Sequence, residues 1–325
     1  MTLAASLGLF FALAGQAEGQ TLILPAPKRW DALAWPVRSA ILPPLSGPLS
    51  PRPLLPPQAP AQQTASPTAD PPDIADNSFL VEEAYNQEYG VVQHISSFTR
   101  DWNTGDWLYS FTQEWPFNPA PRSQLSYTIP VRSESMGGHA GGLGDILLNY
   151  RFQVLGDAES RVAFAPRFSL ILPTGDWRRG RGSGDPGYQV NLPLSWEIHG
   201  KLVTHWNAGA TFFPSARDEA GFRAATYGFN VGQSFIWKFT HRFHGMLETV
   251  LDSAESVIGP DSTERDNTLI VNPGFRWAYN FANGLQIVPG VSFPVLTTGS
   301  SRGSSGILLY LSFEHPFGKA RKAGK

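Results

Sequence analysis

The chain has 325 residues, a formal net charge of −2 and 16% charged side chains, below the roughly 25% of ordinary soluble domains. This near-neutral balance provides no basic face for a nucleic acid, and the absence of cysteine excludes disulfides, thiolate metal sites and thiol nucleophiles. No apolar stretch reaches the ~18 residues that a membrane-spanning helix requires.

The N-terminus runs apolar from Leu3 to Ala14 and then meets small residues at Gly15, Ala17 and Gly19. This is the pattern of a secretory signal over residues 1–19, although no Lys or Arg precedes the apolar run. Residues 20–76 change character and hold half of the 28 prolines, in runs such as Leu42-Pro43-Pro44. Proline has no backbone donor and favours extended, unpaired backbone, so this stretch reads as a linker. Its leucines, with Trp30 and Trp35, leave a second reading open, in which part of it docks inside the following domain as a plug.

Residues 77–317 read as that domain. Twelve segments read as candidate strands, near 82–98, 107–115, 123–132, 144–154, 161–172, 187–198, 202–213, 226–239, 242–252, 267–281, 285–296 and 306–317; the first two are poorly patterned, and the rest alternate apolar and polar residues. In the sixth, Tyr188, Val190, Leu192, Leu194, Trp196 and Ile198 share one face, while Gln189, Asn191, Ser195 and Glu197 share the other. Side chains on a strand alternate faces, so each segment predicts a strand with one oily and one wet side. The links alternate short and long. Short ones include His199–Lys201 and Thr240-His241; long ones include Pro173–Pro186, Pro214–Ala225, Ser253–Asp266 and Thr297–Ser305. An even number of strands with this rhythm predicts an all-β, up-and-down transmembrane barrel of the Gram-negative outer membrane, with both termini periplasmic. Aromatics at the periplasmic ends of the oily faces, Tyr150, Trp196, Trp237, Trp277, Tyr279 and Phe317 among them, predict an interfacial girdle. Pro166, Pro193, Pro273 and Pro289 count against regular pairing where they fall. The last strand precedes a basic tail, 318–325.

The wet face predicts a lumen. Its acids are Glu114, Asp145, Glu197, Glu248, Asp252 and Glu314, and its bases Arg132, Arg151, Arg167, Lys238 and Arg276, which gives no strong bias of sign. A barrel of about eight strands is filled by its own side chains, and roughly 16 to 18 strands leave a channel, so twelve predicts a narrow or partly plugged lumen. Near the outer mouth, Leu147, Ile171, Val250, Leu308 and Tyr310 break the polar pattern. Two readings are open for them: packing against folded-in loops, or a site that admits a small apolar or aromatic solute.

Gly142-Leu143-Gly144-Asp145, Leu172-Pro173-Thr174-Gly175-Asp176 and Ser183-Gly184-Asp185-Pro186-Gly187-Tyr188-Gln189 together resemble the outer-membrane β-barrel channel or transporter family named after the meta-pathway of phenol degradation. The resemblance is specific over about Gly142–Trp196 and loose over the rest of the barrel. It implies a barrel associated with uptake or breakdown of aromatic or other small compounds, and it brings no catalytic residues.

Chemistry is otherwise sparse. Gly182–Gly187 matches a dinucleotide fingerprint, but a strand follows it rather than a helix. An outer-membrane lipid hydrolase needs Ser and His together on the lipid face, whereas His199, His205 and His244 are assigned inward. Asp252, Glu255, Asp261, Glu264 and Asp266 read as solvated loop acids in preference to a cation site. Two readings are open for Arg178, Arg179 and Arg181: contact with lipopolysaccharide phosphates, or a solvated loop. The sequence therefore predicts a passive channel for small molecules with no cofactor and no metal; its partners are outer-membrane lipid, the solute and the barrel-assembly machinery. The rivals are a structural or adhesion barrel with a blocked lumen and, third, the lipid hydrolase.

Overall fold

The computed structural model describes residue 74 and residues 78–117, 122–133, 141–157 and 160–316. Twelve antiparallel strands form one sheet that closes on itself. β1 is Val91–Asp101, β2 Trp107–Pro116 and β3 Ser123–Ser133. β4 comprises Gly142–Leu143 and Ile146–Phe152, β5 Val162–Phe164 and Arg167–Leu172, and β6 Gly187–Asn191 and Leu194–His199. β7 is Leu202–Arg217, β8 Arg223–Thr240, β9 Phe243–Gly259 and β10 Ser262–Trp277, with a short continuation Tyr279–Asn280. β11 comprises Gln286–Ser292 and Val295–Leu296, and β12 is Gly306–Pro316.

The breaks inside β5, β6 and β11 fall at Pro166, Pro193 and Pro294, where the ring nitrogen has no proton to give the ladder. Single bonds bridge the gaps: Phe152 N–H donates to the Pro166 carbonyl at 3.0 Å and Leu192 N–H to that of Ala208 at 2.8 Å. Pro273 and Pro289 stay within β10 and β11. Closure comes from β1, which pairs with β2 on one side and with β12 on the other, from Val91 opposite Pro316 to Asp101 opposite Gly306. No edge remains to expose unpaired backbone.

The period-two faces sort as the sequence predicts. On β6, Tyr188, Leu194 and Trp196 are exposed to the outside, while Gln189, Asn191 and Ser195 are buried within. Tyr150, Trp196, Trp237 and Tyr279 stand exposed near the end of the barrel that carries the short turns, with Trp277 half-buried beside them. Phe317 and the basic tail lie outside the described residues.

Two expectations are corrected. Pro214–Ala225 and Ser253–Asp266 are not long loops but strand: β7 and β8 run on to a link at residues 218–222, and β9 and β10 to one at 260–261. β8 has 18 residues, where about 9–11 suffice to cross a bilayer, so these hairpins rise well past the hydrocarbon. An outward ion pair between Glu255 and Arg265, 2.8 Å apart, lies on the projecting part. Around Glu255 and Arg265 the outward face is polar, so the contrast of oily and wet faces is lost and the segment reads as loop. The second correction concerns β1, which begins at Val91 rather than near residue 82. Among the described residues ahead of it, Ser78–Ala84 lie inside the barrel.

Leu247, exposed on the outer face of β9, and Asn230, on the inner face of β8, test the faces. Leu247→Arg places a charge among lipid tails at a cost of about 2–4 kcal/mol near the midplane. It should reduce the heat-modifiable form on unboiled gels, whereas Asn230→Arg should assemble normally.

Candidate functional site

The lumen is occupied by the chain's own N-terminal segment. Ile74 packs on Ala278 and Val288 near the short-turn end, and Leu80 and Val81 reach Val250, Ile270 and Leu296 deeper in the barrel. The segment then crosses to the opposite wall at Glu82 and descends to Asn86 and Gln87, back at the short turns, where β1 begins. It is an arch. Because it belongs to no sheet, its backbone donors are met by inward side chains. Leu80 and Val81 N–H donate to Glu248 Oε1 at 2.8 and 3.1 Å, and Glu82 N–H to Asn207 Oδ1 at 2.9 Å. Ala84 N–H donates to Ser195 Oγ at 2.7 Å, Asn86 N–H to Gln153 at 2.9 Å and Gln87 N–H to Gln124 at 2.7 Å.

Charge strengthens the grip. Arg167 forks onto Glu82, with Nε 3.0 Å from Oε2 and Nη2 2.6 Å from Oε1, a bidentate geometry that adds direction as well as strength. Arg151 donates to the carbonyls of Glu83 at 3.1 Å and Tyr85 at 2.8 Å, and to Asn86 Oδ1 at 3.0 Å. Glu248, buried, also accepts from Asn272 Nδ2 at 2.7 Å. Burial works against the charge on Glu82, but Arg167, then Arg151 and a bond from Asn191, outweigh it and hold the carboxyl below the usual carboxylate range. Phe79 adds an apolar anchor. Its ring lies edge-on to Tyr310, with centroids 5.4 Å apart, and rests on Gly274 and Gly290 of adjacent strands, where a Cβ would collide with it.

The arch divides the lumen. Towards the long-loop end lies a cavity of about 260 Å³ with an apolar wall that includes Leu147, Ile171, Val250 and Leu308, four of the five mouth positions singled out from sequence. The fifth, Tyr310, is taken up by Phe79 and borders a neighbouring cavity of about 220 Å³. Towards the short turns a polar cavity of about 490 Å³ holds Glu197, Lys238, Arg276 and Glu314, with Lys238 Nζ 3.5 Å from Glu197. Arg132 and Asp145 border the apolar cavity. Arg151, Arg167 and Glu248, expected on the lumen wall, hold the arch. Glu114, also inward, lies 3.5 Å from Arg151.

The cross-strand register also joins Ser195 to His205 Nδ1 at 2.7 Å, a pairing not evident along the chain. The serine is fully buried and accepts the Ala84 N–H, so the pair is a socket for the arch and not a nucleophile. His199 is corrected from inward to an exposed position at the end of β6, its ring edge-on to Trp237. Asp252 and Asp266 are buried on the inner face, Glu255 pairs outward, and among the described residues no three His, Asp or Glu side chains converge as metal ligands. Sequence reasoning missed Phe79, Glu82, Gln124, Gln153 and Asn207. Their register against the arch is a tertiary fact with no spacing along the chain to announce it.

Comparison with known proteins adds the family. The family described as "Putative MetA-pathway of phenol degradation" matches residues 69–306. The chain belongs to this family. The match begins upstream of β1 and so takes in the whole arch. No curated protein matches the chain. Among solved structures, an outer-membrane channel from Pseudomonas putida F1 superposes with a TM-score of 0.55 at 13% identity, over 72% of this chain and 98% of that one. The NanC porin gives 0.46 at 8% identity over 70% of this chain and all (100%) of its own, and the KdgM porin 0.42 at 12% over 70% and 99%. The likeness is one of fold.

For this family member the Glu82–Arg167 pair predicts how acid acts on the arch. A carboxyl whose pKa is depressed in the folded state contributes fully above its ordinary value of 4.5 and loses that contribution as pH falls through the lowered value. Planar-bilayer conductance should therefore be steady from neutral pH down to that ordinary value and rise below it. Glu82→Gln should raise the neutral-pH conductance and flatten the dependence.

Proposed function

We propose that the protein is an outer-membrane channel that admits small, largely apolar or aromatic molecules. The observation that carries this reading is the apolar cavity beneath the long-loop mouth. A dry apolar cavity of about 150 Å³ is enough to hold benzene. At about 260 Å³, this one has room for a single ring with substituents. Its lining mixes Leu147, Ile171, Val250 and Leu308 with the hydroxyls of Ser97, Ser110 and Thr128, a surface suited to a ring that bears a polar group. Family membership supports the same direction.

In this reading the long loops and raised hairpins face the outside and both termini face the periplasm, after removal of the signal over residues 1–19. Arg178 and Arg179, exposed on the loop between β5 and β6, then stand at the level of lipopolysaccharide phosphates. Passage requires the arch to yield, because it separates the mouth cavity from the polar cavity below. The filled lumen is also the observation that favours a rival reading, a structural barrel that conducts nothing.

Liposome swelling separates the two. The channel reading expects uptake of phenol-sized aromatics to exceed that of sugars of similar mass. Leu147→Asp, at a half-buried position on the cavity wall, should lower the aromatic rate several-fold and leave the sugar rate near its starting value. No swelling by any solute, together with no steady bilayer current, would establish the blocked barrel.

A further inference from the structure

The three stretches that carry the family resemblance are far apart along the chain and are explained neither by the arch nor by the cavity wall. In the fold they meet at one carboxylate. We infer that the loop Pro173–Pro186 is the solute-selecting constriction of the mouth, and that Asp145 is the positioning residue that holds it folded inward. The inference rests on the channel reading for the word selecting, but not for the clamp.

Asp145 sits between the two pieces of β4 and is 7% exposed. Its Oδ1 accepts Gly175 N–H at 2.9 Å, and its Oδ2 accepts both the Ser183 hydroxyl, at 2.7 Å, and the Ser183 N–H. Gly175 and Ser183 lie on opposite limbs of the loop, so a single side chain gathers both. Thr174 tightens the first limb: its hydroxyl donates to the Gly144 carbonyl at 2.8 Å and accepts Ile146 N–H at 3.0 Å. Gly182 lies so close to the Asp145 carboxylate that a Cβ there would collide with it, which accounts for a glycine next to Ser183.

The loop is also stiff within itself. Asp176 Oδ1 accepts Arg178 N–H at 3.2 Å and starts a short 3-10 turn, Trp177–Arg179, which ends at Gly180 with φ 65°. The Gly180 carbonyl accepts from Arg132 Nη2, an inward side chain of β3. On the far side Ser183 O accepts Arg217 N–H of β7 at 2.9 Å, and the Arg217 guanidinium lies 5.3 Å from the Trp177 ring centre. A loop bonded to inward side chains of β3 and β4 and to the rim of β7 lies across the mouth and does not flare into solvent. Arg181 and Asp145 accordingly border the apolar cavity. A solute arriving from the long-loop end meets this loop first.

Each donor on Asp145 makes a charge-assisted bond, and removal of the carboxylate would strand two backbone N–H groups at once. The test uses the absence of native cysteine. Leu147→Cys, on the cavity wall under the loop, is treated with a bulky maleimide in purified, detergent-solubilised protein, with and without Asp145→Ala. Labelling should accelerate about tenfold or more, the order expected when a charge-assisted bond is lost. Liposomes with Asp145→Ala should swell in disaccharides that do not swell the wild type. Asp145→Asn, which keeps one acceptor oxygen, should fall between. If Asp145→Ala loses the heat-modifiable band, Ser183→Ala, which removes only the hydroxyl bond, replaces it with a smaller expected change. Unchanged labelling in a folded variant would overturn the clamp. Faster labelling with an unchanged solute size limit would take the loop out of the solute path and overturn selection. A wild type and variants that swell in nothing would overturn the channel reading itself, while labelling still decides the clamp.

Discussion

A chain that enters hydrocarbon must pair every backbone N–H and C=O within itself, because no water is there to take them. The β1–β12 ladder meets that demand for the sheet as a whole, and the rest of the architecture follows from its closure. Twelve strands enclose a space too wide for inward side chains to fill alone. The residual volume is claimed by the segment ahead of β1. That segment carries the same demand into the lumen, where no strand remains to satisfy it. Side chains do so instead: Glu248, Asn207, Ser195, Gln153 and Gln124 act as acceptors for a backbone that would otherwise be orphaned.

Polar residues in the barrel interior thus divide by task. Arg151, Arg167 and Glu248 are committed to the arch, while Glu197, Lys238, Arg276 and Glu314 border open space below it. A count of lumen charges by sign treats these groups alike. Yet a guanidinium forked onto a carboxylate at 2.6 Å is largely neutralised towards a passing ion. Electrostatic character along the path is therefore set by the residues the arch leaves over.

Most of the barrel was legible because period two is a property of the strand itself. Tyr188 to Ile198 face alternate sides wherever their neighbours lie, and the apolar side had to meet lipid. Strand number, face assignment and the mouth positions Leu147, Ile171, Val250 and Leu308 follow from that alone. The same rule failed where one of its premises lapsed. Beyond the hydrocarbon the outward face of β9 and β10 is wet too, as at Glu255 and Arg265, so strand and loop look alike. Glu82 to Gly90 counts into β1 on weak patterning, although β1 begins at Val91. Periodicity reports an extended chain, but it does not say whether the partner is a backbone or a ring of side chains.

The arch has one more consequence, for how it could ever be put in place or taken out. Its two feet stand at the same end of the barrel, near Ala278 at one side and near Arg122 at the other. Over the described residues from Ile74 to Gln87 it would be called, in a rope, a bight and not a thread. Such a loop can be drawn out or pushed in with the β1–β12 seam intact. Removal is then a matter of breaking local bonds in sequence from one foot, and the sheet need not be rebuilt to restore it.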